Sequence, residues 1–213
     1  MKMFSSIKAP NMPHQLQHVT LDLESPIAQV LVCDATENDI ESRIEIDQSR
    51  LERVELTSCR FKNSSIFDSS FVACLLFGSN FDGARIKRSS FTGGVYSGII
   101  MSGANLEDAY FEGCKLNLAN FRGSLLKRVT FKDCDLSEVD FGGAILSMVT
   151  FENCVLSQAD FNNCSILSAD LRASEISDIT GITGLKGATI ASIQLIGLAD
   201  IMASSIGLII DER

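Results

Sequence analysis

The stretch LNLANFRGSLLKRVTF, residues 116–131, holds the rule that decides the fold. Leu116, Phe121, Leu126 and Phe131 are five residues apart, and Ala119, Ser124 and Val129 each stand two residues before one of them. Working outward in both directions, every fifth residue from Ile46 to Ile176 is large and apolar, at 27 positions of 27. A period of five matches neither the 3.6 of a helix nor the 2 of a strand, so the chain is a repeat architecture. The slot two residues earlier takes small or β-branched residues such as Cys59, Ser64, Ala84, Ala104 and Val139. The positions between are mostly polar, for example Asn80, Asp82, Arg122 and Asp160. Each unit of five therefore turns one large and one small side chain inward and three outward, and the chain must bend once per unit.

A second period of ten refines this. Phenylalanine recurs at Phe61, Phe71, Phe81 and Phe91, then at Phe111, Phe121, Phe131, Phe141, Phe151 and Phe161. If four units close one square coil, Phe61, Phe81, Phe121, Phe141 and Phe161 stack on one side, with Met101 in the gap. Phe71, Phe91, Phe111, Phe131 and Phe151 stack on the opposite side. Coils at strand spacing make residues 46–180 a rod of about seven coils, roughly 34 Å long, paired coil to coil. The expected class is an all-β solenoid. Its interior contributes about 1.5–3 kcal/mol per buried Phe or Leu. Phe121→Asp should break it, whereas Arg122→Ala should be nearly silent.

Outside residues 46–180 the rule fails. Residues 1–45 form a flanking cap with two strand-like stretches, Val19–Leu23 and Ile27–Cys33, separated by Ser25-Pro26. Residues 181–213 form a second cap. Ser192 can N-cap a helix over 192–206 that Gly207 ends. Leu195, Leu198, Ala199, Met202 and Ile206 share one face suited to plugging the last coil, with Leu208, Ile209 and Ile210 following as a strand. So much apolar surface, together with Ile201, points to dimerisation through this end. Asp200 at the centre of 190–210 costs about 2.5–3.5 kcal/mol in a bilayer, which speaks against a membrane span. Phe67, Val72, Leu75 and Phe77 are apolar at outward positions, so they are either covered by residues 1–45 or form a candidate partner surface.

Little here points to chemistry. His14 and His18 are the only histidines, and Pro10 and Pro13 oppose the helix that would pair them as ligands. Phosphate-loop, zinc-protease and nucleophile-elbow motifs are lacking, and paired carboxylates such as Glu107-Asp108 and Asp133-Asp135 fall on outward faces. A non-enzyme without metal or cofactor is expected. Seven cysteines lack tight C-x-x-C spacing, and Cys74, Cys114, Cys134 and Cys154 share a column broken by Gly94. They are expected to be buried small residues in a reducing compartment. Gly93-Gly94 beside Tyr96 is expected to be a local packing irregularity. No secretory leader opens the sequence, which fits a cytoplasmic protein.

The net charge is −9. Residues 46–180 carry 17 acids and 13 bases, so no basic stripe awaits nucleic acid. Duplex DNA carries about 20 charges over the same length. The outward column Glu112, Lys132, Glu152, Arg172 alternates in sign, which is a salt-bridge ladder and not a phosphate imitation.

The pattern A-x-F-x-x, as in Ala119-Asn120-Phe121-Arg122-Gly123 and Ala159-Asp160-Phe161-Asn162-Asn163, resembles the pentapeptide-repeat family. The resemblance implies a right-handed quadrilateral β-helix over about two thirds of the chain. Gly184-Leu185-Lys186-Gly187-Ala188-Thr189-Ile190 and then Ile206-Gly207-Leu208-Ile209-Ile210 resemble the tail of Qnr-type and MfpA-type members. Those proteins dimerise through the tail, bind type II topoisomerases as DNA mimics and protect against quinolones. Qnr-type proteins of Gram-negative bacteria also carry loops that interrupt their coils, and this chain lacks them. The expectation is a homodimeric interaction or scaffold rod. Its alternatives are a DNA mimic binding DNA gyrase or topoisomerase IV, and an enzyme with a site at the N-terminal cap near His14 or His18.

Overall fold

The computed structural model describes residues 7–209, and they form a square-sectioned β-solenoid closed by one C-terminal helix. Short parallel strands stack with an offset of 20 residues. On one side Ile86, Leu106, Leu126 and Leu146 lie in register; on the next, Phe71, Phe91, Phe111, Phe131 and Phe151 do. Isolated bridges such as Leu75 to Val95 and Asn120 to Asp140 complete the other two sides. The residues two positions after the large centres from Ile46 to Phe161 take left-handed backbone angles, as at Arg88 (φ 48°), Asp108 (φ 56°) and Arg128 (φ 52°), and these corners bend the chain once per unit.

The interior is continuous. Every Phe of the two columns is at most 1 % exposed. Within a column the rings stack, with Phe91 and Phe111 4.6 Å apart at 8° and Phe121 and Phe141 5.4 Å apart at 19°. Across the core the columns meet edge to face, as between Phe121 and Phe131 at 6.1 Å. Both arrangements suit the quadrupole of the aromatic ring.

The cysteine column is buried and unpaired. Each thiol donates to a carbonyl of the preceding coil: Cys74 to Leu51 O (3.4 Å), Cys114 to Phe91 O (3.3 Å), Cys154 to Phe131 O (3.3 Å). Ser174 makes the same bond to Phe151 O at 3.1 Å, so the slot selects a small donor. Gly94 interrupts the column because the Tyr96 ring fills its place. A Cβ at Gly94 would lie 2.3 Å from the Tyr96 hydroxyl. That hydroxyl is buried without a hydrogen-bond partner among the described residues. The expected packing irregularity is thus a matched exchange, a larger ring at one position for a missing side chain at another.

The coil stacking reaches further toward the N-terminus than Ile46. Ile27, Val32 and Glu37 stand opposite Ile46, Leu51 and Leu56, with an offset of 19 instead of 20. Residues 27–45 are therefore coiled onto the rod and raise the count from about seven turns to about eight. One residue is missing between Ser42 and Ile46, so counting back in fives from Ile46 lands on Glu41 and leaves the true frame. Val19–Leu23 is not a strand as expected. The strand is Gln17–Val19, paired in parallel on Val30–Val32, while Leu21 and Leu23 pack on the core outside any strand.

At the other end, the single-turn helix Ile182–Leu185 presses onto the last coil; a Cβ at Gly184 would meet Phe161 O at 1.9 Å, so only glycine fits. The helix α1 spans Gln194–Ser205 and starts from Ile193 without a side-chain cap, which corrects the expected Ser192 cap and the span 192–206. Gln194 replaces that cap. Its Oε1 accepts from Ala191 N at 2.6 Å, and its Nε2 donates to Leu171 O (2.8 Å) and Ser174 O (2.6 Å). The open carbonyl edge of the final coil is satisfied there, as a solenoid end requires.

Candidate interaction surfaces

Of the stripe expected to face inward on α1, Leu198 alone does so. Leu198 is buried, and Ile201 and Gln194 are half-buried on the rod side. Leu195, Ala199, Met202 and Ile206 face outward, against the expectation that they plug the coil. The reason is that Gln194 anchors the first turn, and positions three to four residues on, Leu198 and then Ile201, follow it inward. Leu195 and Met202 border a shallow depression with Ile182, Leu185 and Ile190. Met202, Ile206 and Leu208 border a second, adjoining one with Ile182. Leu208 and Ile209 are exposed and outside any strand; Ile210 lies outside the described residues. The C-terminal end thus carries a continuous apolar face rimmed by few charges.

A second surface was hidden from the sequence. Residues 7–13 run along the rod as an irregular strap, crossing the corner between the Ile86–Leu146 side and the Phe71–Phe151 side. This corner column reads Gln48, Asp68, Arg88, Asp108, Arg128. Arg88 clasps Asp68 in a two-bonded pair, and Arg128 clasps Asp108 at 2.6 and 2.7 Å. Both carboxylates are buried, with side chains 8 % and 1 % exposed. Each also accepts a strap amide: Asn11 N reaches Asp68 at 3.0 Å and Lys8 N reaches Asp108 at 3.4 Å. Gln48 Nε2 donates to Asn11 O at 3.0 Å.

The electrostatics follow from these contacts. Burial pushes the Asp68 carboxyl up, but Arg88 and the Asn11 amide outweigh it and leave it below its ordinary value. Arg128 holds Asp108 below its ordinary value against the opposing effect of burial. Neighbouring Glu107 is held down to about 2 by Arg128, Lys87 and Lys127. A groove of about 540 Å³ borders the strap, lined by Ile7, Lys8 and Pro10 on one side and Tyr110, Thr130 and Glu152 on the other.

The four apolar residues expected as one partner surface are separated. Phe67 lies outward on the Ile86–Leu146 side and Val72 on the Phe71–Phe151 side, both half-buried. Leu75 and the exposed Phe77 belong to a third side. Their sequence proximity hides corners between them, so they form no single patch. His18 sits in the strand Gln17–Val19 and His14 in an exposed bend, not on one helix. Among the described residues no cluster of three or more His, Cys, Asp or Glu is arranged to hold a metal, and no helix is long and apolar enough to cross a membrane. The outward charge ladder is partly formed: Lys132 pairs with Glu112 at 2.7 Å, but Arg172 turns to Asp170 of its own coil at 2.6 Å.

Comparison with known proteins agrees with this geometry. A family model described as pentapeptide repeat region matches residues 44–121, 64–141 and 104–180. Among curated proteins none matches the chain. Among solved structures, full-length QnrB1, a plasmid-mediated fluoroquinolone resistance protein, superimposes with a TM-score of 0.53 at 15 % identity, covering 84 % of this chain and 100 % of that one. HetL, a pentapeptide repeat protein involved in heterocyst differentiation regulation from the cyanobacterium Nostoc sp. strain PCC 7120, is 16 % identical over 78 % of this chain and 90 % of its own, with a TM-score of 0.29. At 15 % identity the likeness to QnrB1 establishes the fold alone.

Proposed function

We propose, on the premise that this chain belongs to the pentapeptide-repeat family, that it is a non-catalytic protein-interaction rod which pairs with a second copy through its C-terminal end. The observation that carries this is the outward apolar face of Leu195, Met202, Ile206 and Leu208 beside Ile182. Such side chains on a cap gain stability by leaving water, and a two-fold contact lets one patch cover its copy. Leu198, Ile201, Ile209 and Ile210 are the remaining members of the expected dimer set; the buried Leu198 and the half-buried Ile201 support the helix from beneath. The solid aromatic core leaves no natural interior site, which supports a binding role over a catalytic one. A reducing compartment such as the cytoplasm suits the seven unpaired thiols.

Light scattering tests the dimer. Wild type should run at twice the chain mass and Met202→Glu at the chain mass, with unchanged circular dichroism. A wild type that stays monomeric at hundreds of micromolar would remove the proposal.

The DNA-mimic reading, binding to DNA gyrase or topoisomerase IV, follows from the tail resemblance but gains little from the surface. About half of the acids between residues 46 and 180 are answered by bases: Arg122 contacts Asp140 at 3.1 Å and Asp160 at 3.9 Å, and Lys87 and Lys127 flank Glu107 at 3.0 and 3.1 Å. A supercoiling assay with micromolar protein, with and without a quinolone, decides it; neither inhibition nor rescue would dispose of it.

A further inference from the structure

We propose that the corner column Asp68–Arg88–Asp108–Arg128 is a docking site for an extended segment of a partner protein, and that residues 7–13 are a resident occupant which such a segment displaces. This rests on the interaction-rod reading and assigns it a second surface, separate from the C-terminal face.

The contact reads backbone. Both carboxylates take main-chain N–H groups, from Lys8 and Asn11, and no strap side chain supplies either bond. A segment in the polyproline II conformation, with three residues per turn, turns the N–H groups of positions i and i+3 to the same side and presents the same donors. The spacing is set by the solenoid itself. Asp68 and Asp108 are two coils apart, about 9.6 Å, and three residues of polyproline II cover about 9.3 Å. A segment laid along the rod therefore meets one carboxylate every three residues.

The acceptors are in place before any segment arrives. Arg88 and Arg128, each one coil further on, hold the two carboxylates by paired hydrogen bonds, so the site does not depend on the strap for its shape. Charged acceptors also make stronger bonds to amides than neutral ones do. The column Gly83, Gly103, Gly123, Gly143 occupies a different corner of the same backbone and offers no side chain at all. Among the described residues, ladder pairing begins at Gln17, and the two amide bonds and the Gln48 bond join the strap to the corner. Glu152 and the hydroxyls of Tyr110 and Thr130 line the groove beyond Lys8, so a partner with a basic or hydroxyl-bearing residue there fits better than an acidic one.

The test uses the full chain and a fluorescein-labelled peptide with the sequence of residues 7–16. Lys8→Pro/Asn11→Pro removes both strap donors and leaves the corner intact. This variant should bind the peptide saturably, at least ten-fold tighter than wild type by fluorescence anisotropy. Adding Asp68→Asn/Asp108→Asn should weaken binding at least ten-fold, and a peptide with proline at the two donor positions should bind equally poorly. No binding to a folded Lys8→Pro/Asn11→Pro variant at millimolar peptide overturns the proposal. So does binding that ignores the proline substitutions in the peptide, which decides the matter even if the aspartate variant fails to fold. Light scattering on the same samples reads the C-terminal dimer independently, so loss of one reading is separable from loss of the other.

Discussion

The middle coils and the two ends of this rod are held by different means. Between Ala104 and Phe161 each inward residue meets a near copy of itself one coil away, and the large inward side chains there are buried. Apolar burial and in-register pairing do the work, and neighbouring coils support one another. At the ends there is no next coil. The N-terminal turn keeps only Ile27 and Val32 of its four inward centres apolar, and Glu37 and Ser42 take the other two places. The C-terminal edge is closed by the two-residue strand Ala188–Thr189 paired on Ala169 and Asp170, and by the amide side chain of Gln194. Repetition makes stability inside; single polar contacts between residues far apart in sequence make it at the boundaries.

The largest expected effect lies in the middle. Phe121→Asp places an unpaired carboxylate in the stacked core and should cost several kcal/mol, enough to unfold the chain. Arg122→Ala one residue later removes only exposed ion pairs and should shift stability by less than about 0.5 kcal/mol. Thermal melts that fail to separate these two would abolish the distinction between inward and outward positions.

Next comes the C-terminal edge. Gln194→Ala strands Leu171 O and Ser174 O without their donor and should cost about 1–3 kcal/mol. Hydrogen exchange should show that loss first in α1 and the last coil, with the central coils protected as before. Uniform deprotection would mean that the ends and the middle unfold as one.

The strap supplies a pH test of the N-terminal side. Asp68 and Asp108 have folded values below their ordinary ones, so their contribution is complete above about pH 4 and is lost as pH falls through the depressed values. The groups facing them are Arg88, Lys87, Arg128 and Glu107. NMR shifts of the Lys8 and Asn11 amides should move below pH 4 while the core amides stay fixed. Strap amides that titrate near pH 6 or not at all would contradict the assignment.

The smallest effect belongs to the one interior position that departs from the repeat. Tyr96→Phe removes a buried hydroxyl that has no partner among the described residues and should raise stability by about 1 kcal/mol. A loss of stability instead would reveal that the hydroxyl is bonded.

How much of this could be read beforehand differs between the same regions. The columns Phe61–Phe161 and Phe71–Phe151 were legible because a side-chain period is visible wherever it is unbroken. The turn of residues 27–45 was not, since one missing residue before Ile46 shifts the frame. The role of Gln194 has no signal in the sequence, because the carbonyls that it satisfies belong to another part of the chain. Phe67, Val72, Leu75 and Phe77 looked like one patch because sequence distance does not show corners.

The order of the amino acids by itself determined that the chain coils in fives around a filled aromatic interior, because that periodicity has only one way to bury its large side chains. Only the tertiary structure decided which helix face is left bare and that Lys8 and Asn11 lie on Asp108 and Asp68. Those contacts join residues up to 100 positions apart, and no local pattern of polarity encodes a meeting at that distance.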